Sequence, residues 1–130
     1  MKMLKFGKAP YLECSSKGDK RFSAFYARPV SLKGKSIEES YQGMKVFADG
    51  STGLNWREAK GKKAINAKEC AIAYDKWWRE WVEEQNLLPV LISATGLSDI
   101  FGQKGHVCQA EVLWRIREEH VGDTNHDSFD

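Results

Sequence analysis

The chain has 130 residues, of which 42% are hydrophobic and 29% charged, and a formal net charge of +2 at pH 7. This composition predicts one folded domain and excludes a disordered chain. No apolar run approaches the roughly 20 residues that a membrane helix needs, and the first residues do not have the apolar region of a signal peptide. Its three scattered cysteines (Cys14, Cys70 and Cys108) argue against a disulfide framework or a zinc site and favour a reducing, cytoplasmic compartment.

Charge is distributed unevenly along the chain. Residues 1–117 contain all 20 Lys and Arg residues but only 13 of the 18 Asp and Glu residues. This part of the chain therefore carries a net charge of +7. Residues 121–130 form an acidic, polar tail that we expect to fray beyond a single domain at residues 1–120. A basic body suits an anionic ligand such as a phosphate or nucleic acid, although proteins that bind neither are often basic as well.

The N-terminal part reads as short strands and loops. Strands are predicted at Leu4–Phe6 and Tyr11–Cys14, and a polar turn follows them. The next segment is aromatic and ends in a proline, which suits a packed loop. Within it we expect Phe22 and Phe25 to join the core, whereas Tyr26 carries a hydroxyl group and could line a pocket.

A capping box opens the next element. Ser36 followed by Glu39 predicts a helix that begins at Ile37, because the hydroxyl and the carboxylate each satisfy an unpaired amide of the first turn. Apolar residues then recur at helical spacing and predict a buried stripe. The stripe consists of Ile37, Tyr41, Met44 and either Phe47 or Ala48.

A second stripe on this helix carries functional groups. Glu38, Gln42 and Lys45 are spaced i, i+4 and i+7, and Glu38 lies in the first turn, where the helix dipole favours an ionised carboxylate. A fixed carboxylate with an amide and an ammonium beside it could stabilise a developing cation. The alternative is an ordinary solvated helix surface.

The densest positive charge follows a predicted short helix at Leu54–Lys60. These cations could clamp a phosphate, or they could belong to a solvated surface loop. They are Arg57, Lys60, Lys62 and Lys63.

A second long helix is predicted from Asn66, as its N-cap, to about Gln85, with Glu69 at the third position. Three tryptophans lie within five residues of this helix, and they cannot all face one core. We expect at least one to border a pocket where a base or sugar could stack. The three are Trp77, Trp78 and Trp81.

The C-terminal part reads as two helices around a loop. A short buried helix is predicted at Asn86–Ala94, and a last helix at Val107–Glu119. The glycine-punctuated loop Leu97–His106 lies between them, with Asp99 as its only acid. The expected fold is therefore α+β: a predominantly α-helical single domain with short N-terminal β-strands.

Three segments, in this order, resemble the NADAR superfamily, whose best-known branch is the YbiA-like N-glycosidases. They are Phe22–Tyr26 with Pro29, Ile37–Lys45, and the region from Ala94–Gly96 to the helix that ends at Leu113–Arg117. The chain departs from the family pattern in two places. Glu39 stands where the family has a histidine, and the glycine-rich loop is shortened, with Gln109 about where its asparagine would be.

The resemblance implies an N-glycosidase with a NADAR-like fold, in which Glu38 is the principal catalytic carboxylate. The leaving base needs a proton or a hydrogen bond, which Lys45, Asp99 or Tyr26 could supply. Further substrate contacts are implied for Gln42, Gln109 and Tyr26.

Family members act on, or are predicted to bind, N-ribosides and ADP-ribose conjugates, including ribosylaminopyrimidine intermediates of riboflavin synthesis and ADP-ribosylated guanine in DNA. The expected substrate is thus a phosphorylated riboside or ADP-ribose conjugate, free or on nucleic acid, with no metal or cofactor and no membrane partner. Trp78 would stack on it, and Arg57, Lys60 and Lys63 would hold its phosphates. Two alternatives are a module that binds ADP-ribose or a nucleotide without cleaving it, and a basic nucleic-acid-binding protein.

Overall fold

A computed structural model describes residues 4–53, 64–100 and 108–128 of the chain. It shows a mixed α+β domain in which helices pack on a small sheet, as the sequence predicted at this level. The elements are β1 (Leu4–Gly7), β2 (Tyr11–Glu13), α1 (Ile37–Met44), α2 (Ala67–Glu84), α3 (Leu88–Ser93), β3 (Gly96–Asp99) and α4 (Gln109–Ser128), with 3-10 turns at Lys20–Phe22 and Val30–Leu32. The predicted helix at Leu54–Lys60 lies outside the described residues.

The sheet has the order β1-β3-β2, so the strand that comes last in the sequence lies in the centre. β3 is antiparallel to β1 and parallel to β2, with Leu97 opposite both Phe6 and Leu12. All four residues of β3 are buried. The prediction of a loop here was wrong, and Asp99 instead ends the central strand.

Helix α1 begins as predicted. The Ser36 hydroxyl accepts a hydrogen bond from the Glu39 amide at 3.1 Å, and the Glu39 carboxylate accepts one from the Ser36 amide at 3.4 Å. The helix ends at Met44, one turn earlier than the apolar stripe suggested. Lys45 follows it in an extended conformation, with φ −62° and ψ 138°.

The core is built around one face of α2. Its buried residues recur every four positions and are Cys70, Tyr74, Trp78 and Val82. The Tyr74 ring meets the rings of Tyr41 and Trp78 edge-on, with centroids 5.2 and 6.4 Å away. The contact between Tyr41 and Tyr74 packs α2 against α1.

The aromatic loop packs differently from the prediction. Phe22 is fully buried, but Phe25 is 39% exposed, so its assignment to the core was wrong. The amides of Tyr26 and Ala27 both donate to the carbonyl of Ser23, which closes a tight turn. This turn buries Ser23, Ala24 and Ala27 and directs the two aromatic side chains between them outward.

Helix α4 continues to Ser128, so the backbone of the predicted frayed tail is helical over most of its length. Ion pairs tie α4 to α2: Arg79 contacts Glu119 at 2.7 Å, and Arg115 contacts Asp75 at 2.9 Å. Across the described part of the chain, every helix is too short or too polar to span a lipid bilayer.

Candidate functional site

Glu38 and Gln42 form the centre of the candidate site. Glu38 is partly buried in the first turn of α1, and its Oε2 atom accepts a hydrogen bond from Gln42 Nε2 at 2.9 Å. Gln42 is only 5% exposed, and its Oε1 atom has no hydrogen-bond partner among the described residues. The amide nitrogen therefore fixes the carboxylate, while the amide oxygen is a buried acceptor.

Lys45 lies near this pair although it follows the end of the helix. It is 3% exposed, and its ammonium nitrogen is 5.3 Å from the centroid of the Tyr41 ring. Burial lowers the pKa of Lys45, and the negative charge of Glu38 partly opposes that effect. The predicted placement of Glu38 and Gln42 on one side of α1 is thus confirmed. Lys45 lies beyond the end of the helix on extended backbone, close enough to Glu38 for their charges to interact.

Asp99, which is buried, and Gln109, which is partly buried, form a second hydrogen-bonded pair. Asp99 is 3% exposed at the end of β3 and accepts a hydrogen bond from Gln109 Nε2 at 3.1 Å. The Cys108 thiol lies 3.5 Å from the same carboxylate oxygen. Burial and the nearby Asp99 charge contribute to raising the pKa of Cys108 to about 12, so this thiol stays protonated at neutral pH.

The backbone of Ala24 connects the two pairs. Its N–H donates to Gln109 Oε1 at 2.6 Å, and its carbonyl accepts from the Glu38 N–H at 2.9 Å. A continuous path of hydrogen bonds therefore runs from Asp99 through Gln109 and Ala24 to the first turn of α1. No sequence signal marks Ala24, because the contribution comes from its main chain.

Tyr74 is a buried core residue whose phenol group is influenced by the charges of both carboxylates, Glu38 and Asp99. Burial raises the pKa of Tyr74 well above its usual value, and the charges of Glu38 and Asp99 raise it further. Both carboxylates are therefore near enough to act on one phenol group. The sequence gives no sign of these neighbours, because Tyr74 lies on the apolar face of α2 with Cys70 and Trp78.

Glu13 fixes the strand end that carries Asp99. Its carboxylate accepts from the Ser98 hydroxyl at 2.8 Å and from the Ile100 amide at 3.1 Å, on either side of Asp99. Although partial burial raises it, the pKa of Glu13 is lowered overall by hydrogen bonds from Ser15, Ser98 and Ile100. The sequence did not single out this residue, because only the pairing of β2 with β3 places it there.

The remaining predicted substrate contacts, from Tyr26, Trp78 and the basic residues, do not all lie beside Glu38. Tyr26 is 45% exposed, and the Lys20 ammonium lies 5.0 Å from its ring centroid, so it is available at the surface beside Ala24. Trp78 is fully buried in the core. It offers no face to a ligand, so its assignment as a stacking residue was wrong. The predicted phosphate contacts Arg57, Lys60, Lys62 and Lys63 lie outside the described residues.

A cavity of about 370 Å³ lies on the other side of α1. Trp77, the neighbour of Trp78, is the tryptophan that borders it. Residues 39, 40, 43 and 44 of α1 line this cavity. Because successive residues of an α-helix are rotated by about 100°, these four lie on the side of α1 away from Glu38 and Gln42. The lining residues are Lys35, Glu39, Ser40, Gly43, Met44, Gly53 and Trp77.

Among the described residues, no group of three or more His, Cys, Asp or Glu side chains is placed to hold a metal ion. Comparisons of the chain with protein-family models, with curated proteins and with solved structures found no match. The resemblance to the NADAR superfamily is therefore carried by the sequence motifs alone.

Proposed function

We propose that this protein is an N-glycosidase, which hydrolyses the bond between a base and the ribose of a phosphorylated ribose conjugate. The observation that carries the proposal is the arrangement of Glu38: a 5% exposed glutamine holds its carboxylate, and a 3% exposed lysine lies close enough to feel its charge. Burying two such polar groups beside a carboxylate costs free energy unless they are hydrogen-bonded or paired with an opposite charge. Such sites are where catalytic groups concentrate.

Cleavage of an N-glycosidic bond develops positive charge on the sugar, as in O-glycosidases. In the proposed reaction the C1′–N bond breaks and its electron pair goes to the base. The Glu38 carboxylate stabilises the cationic sugar and accepts a proton from the attacking water. Lys45, whose ammonium is made more acidic by burial, donates a proton to the leaving base.

The second part of the proposal concerns recognition of the sugar. Gln42 Oε1 is a buried acceptor without a partner among the described residues. An unsatisfied buried acceptor costs about 1–3 kcal/mol. In the proposed complex the side chains over Gln42 move to admit the substrate, and a ribose hydroxyl group then donates to this oxygen and removes the penalty. Gln42 thereby contributes to affinity as well as to orienting Glu38.

The test is the substitution Glu38→Gln, assayed with ADP-ribosylated guanine in an oligonucleotide and with ribosylaminopyrimidine phosphates. Release of base is followed by mass spectrometry. We expect turnover to fall by about 10²-fold or more, the scale of a lost catalytic carboxylate.

A matched control is Glu39→Gln. The adjacent carboxylate lines the cavity on the far side of α1, and glutamine also completes a capping box. This variant should retain turnover. Equal activity of Glu38→Gln and wild type would remove Glu38 from the mechanism.

A second candidate function is a module that binds ADP-ribose or a related nucleotide without cleaving it. It is favoured by Glu39, which stands in place of the family's histidine and is engaged with the Ser36 amide rather than with Glu38. Calorimetry with ADP-ribose, run beside the product assay, separates the two. Binding of ADP-ribose without release of base from any conjugate would favour the module.

A further inference from the structure

The side chain of Asn66 bonds to the backbone at the end of α1 instead of capping α2. It precedes α2 at the position predicted as N-cap, but it makes no capping hydrogen bond there. Instead, Asn66 Oδ1 accepts from the Val46 amide at 2.9 Å, and Nδ2 donates to the Met44 carbonyl at 3.1 Å. The one amide group therefore holds the residues on either side of Lys45.

Two further hydrogen bonds complete this frame. The Lys45 carbonyl accepts from the Gly53 amide at 2.7 Å, and the Val46 carbonyl accepts from the Ile65 amide at 2.8 Å. The chain thus leaves α1 in one extended direction at Lys45. Asn66 also satisfies one of the carbonyls that the end of a helix leaves unpaired.

The arrangement depends on asparagine in particular. An amide supplies one acceptor and one donor at a fixed separation, and only one of its two orientations makes both bonds. Serine or aspartate would serve equally well as an N-cap, but serine is too short for both partners and aspartate has no donor at neutral pH. The local capping rule is broken here, and such departures concentrate at functional sites.

We propose that Asn66 is a positioning residue for Lys45: by bonding Met44 and Val46 it fixes the backbone from which the buried ammonium is presented to Glu38. The catalytic consequence of this inference rests on the proposed N-glycosidase function. The positional consequence does not, because it concerns the environment of Lys45 in the free protein.

The test compares Asn66→Ser and Asn66→Asp with wild type. Asn66→Ser keeps a side chain that can cap α2 but loses the hydrogen bonds to both Met44 and Val46. Asn66→Asp keeps the size of the side chain and the acceptor for the Val46 amide, but it loses the donor to the Met44 carbonyl. Lys68→Ala is the control, since it changes an exposed residue in the same first turn of α2. If the serine variant does not fold, the kinetic readout on the aspartate variant decides: kcat equal to that of wild type would then overturn the proposal.

The first readout needs no substrate. Protein labelled with 13C at lysine Cε is titrated by NMR, and the Lys45 resonance is followed with pH. We expect the Lys45 pKa to lie below its usual value in wild type and in Lys68→Ala, and to rise toward that value in Asn66→Ser as the ammonium gains water. The pKa readout uses the serine variant because the carboxylate of Asn66→Asp would itself raise the pKa of a nearby ammonium. A Lys45 pKa that is unchanged in Asn66→Ser would overturn the proposal.

The second readout is kinetic. Misplacing Lys45 should lower kcat by about 10²-fold in Asn66→Ser while KM changes much less, because displacements of about 1 Å have effects of this size. Wild-type protein could lack glycosidase activity while its Lys45 pKa still changes when Asn66 is replaced. That result would refute the proposed function and support the positioning role. A loss of stability with unchanged kcat and unchanged Lys45 pKa would leave Asn66 as a structural residue and contradict the proposal.

Discussion

Replacing Gln109 with leucine should disconnect α4 from the loop that supports Glu38. The leucine side chain removes the acceptor of the Ala24 amide and the donor to Asp99, two bonds of 2.6 and 3.1 Å. Both partners are only 3% exposed, so water cannot readily replace the lost bonds. A neutral hydrogen bond contributes about 1 kcal/mol and one to a charged group about 1.5–3 kcal/mol. The free energy of unfolding should therefore fall by about 3 kcal/mol.

Urea unfolding at pH 7, followed by tryptophan fluorescence, measures this change. Gln85→Leu is the control, because Gln85 is exposed at the end of α2 and its substitution should change stability by about 0.5 kcal/mol or less. If Gln109→Leu were as stable as Gln85→Leu, the hydrogen-bond path from Asp99 to α1 would contribute nothing and the reasoning would be refuted.

Gln109→Glu refines the same test. It keeps an acceptor for the Ala24 amide but places a second carboxyl group against Asp99. Two carboxylates at this distance favour sharing one proton. The destabilisation should therefore be largest near pH 8 and shrink toward pH 5, whereas that of the leucine variant should show no such dependence.

Two further predictions follow from the pKa values and the strand contacts. Glu13→Gln should lower the free energy of unfolding by about 1.5–3 kcal/mol, because at least one hydrogen bond to a charged acceptor is lost beside Asp99. Amide hydrogen exchange at Ile100 should become faster in this variant. An unchanged exchange rate at Ile100 would contradict the role of Glu13. Burial raises the pKa of Cys108 from 9.0 to about 12, so the stability that the protonated thiol contributes is complete below pH 9 and is lost as the pH rises toward 12. Between these pH values the free energy of unfolding should fall by about 1.4 kcal/mol per pH unit because of this thiol. Urea unfolding of wild type and of Cys108→Ala between pH 8 and pH 11 measures this dependence. Equal pH dependence in the two proteins would be inconsistent with a buried, protonated Cys108.

The start of α1 could be predicted from the sequence because a capping box is a local signal. Ser36 and Glu39 are three residues apart, and their bonds need no other part of the chain. The spacing also grouped Glu38 with Gln42 correctly, since i and i+4 neighbours lie on one side of any α-helix.

The central strand β3 could not be predicted in the same way. Its sequence is Gly-Leu-Ser-Asp, which has neither an apolar run nor a clear alternation. It is a strand because β1 and β2, more than 80 residues away in the sequence, pair with it on both sides. The location of Asp99 in a buried strand end therefore depends on non-local contacts.

The candidate site illustrates the same limit. The resemblance to a family suggested that Asp99 and Gln109 lie near Glu38, but no spacing along the chain implies it. The link runs through the main chain of Ala24, whose side chain carries no functional group. Asn66 was correctly predicted as the N-cap residue of α2, but the partners of its side chain were missed for a related reason. Its bonds to Met44 and Val46 depend on how the chain returns to α1.

The central claim is that the Glu38 carboxylate acts at the anomeric carbon of a ribose. Single-turnover cleavage of ADP-ribosylated guanine and of ribosylaminopyrimidine phosphates in H₂¹⁸O, by wild type and by Glu38→Gln, tests it most directly. We predict that wild type releases free base with one ¹⁸O on C1′ of the sugar, and that Glu38→Gln binds the conjugate but releases base at least 10²-fold more slowly. Release of base at equal rates by both proteins, or none by wild type from either class of conjugate, would contradict the account.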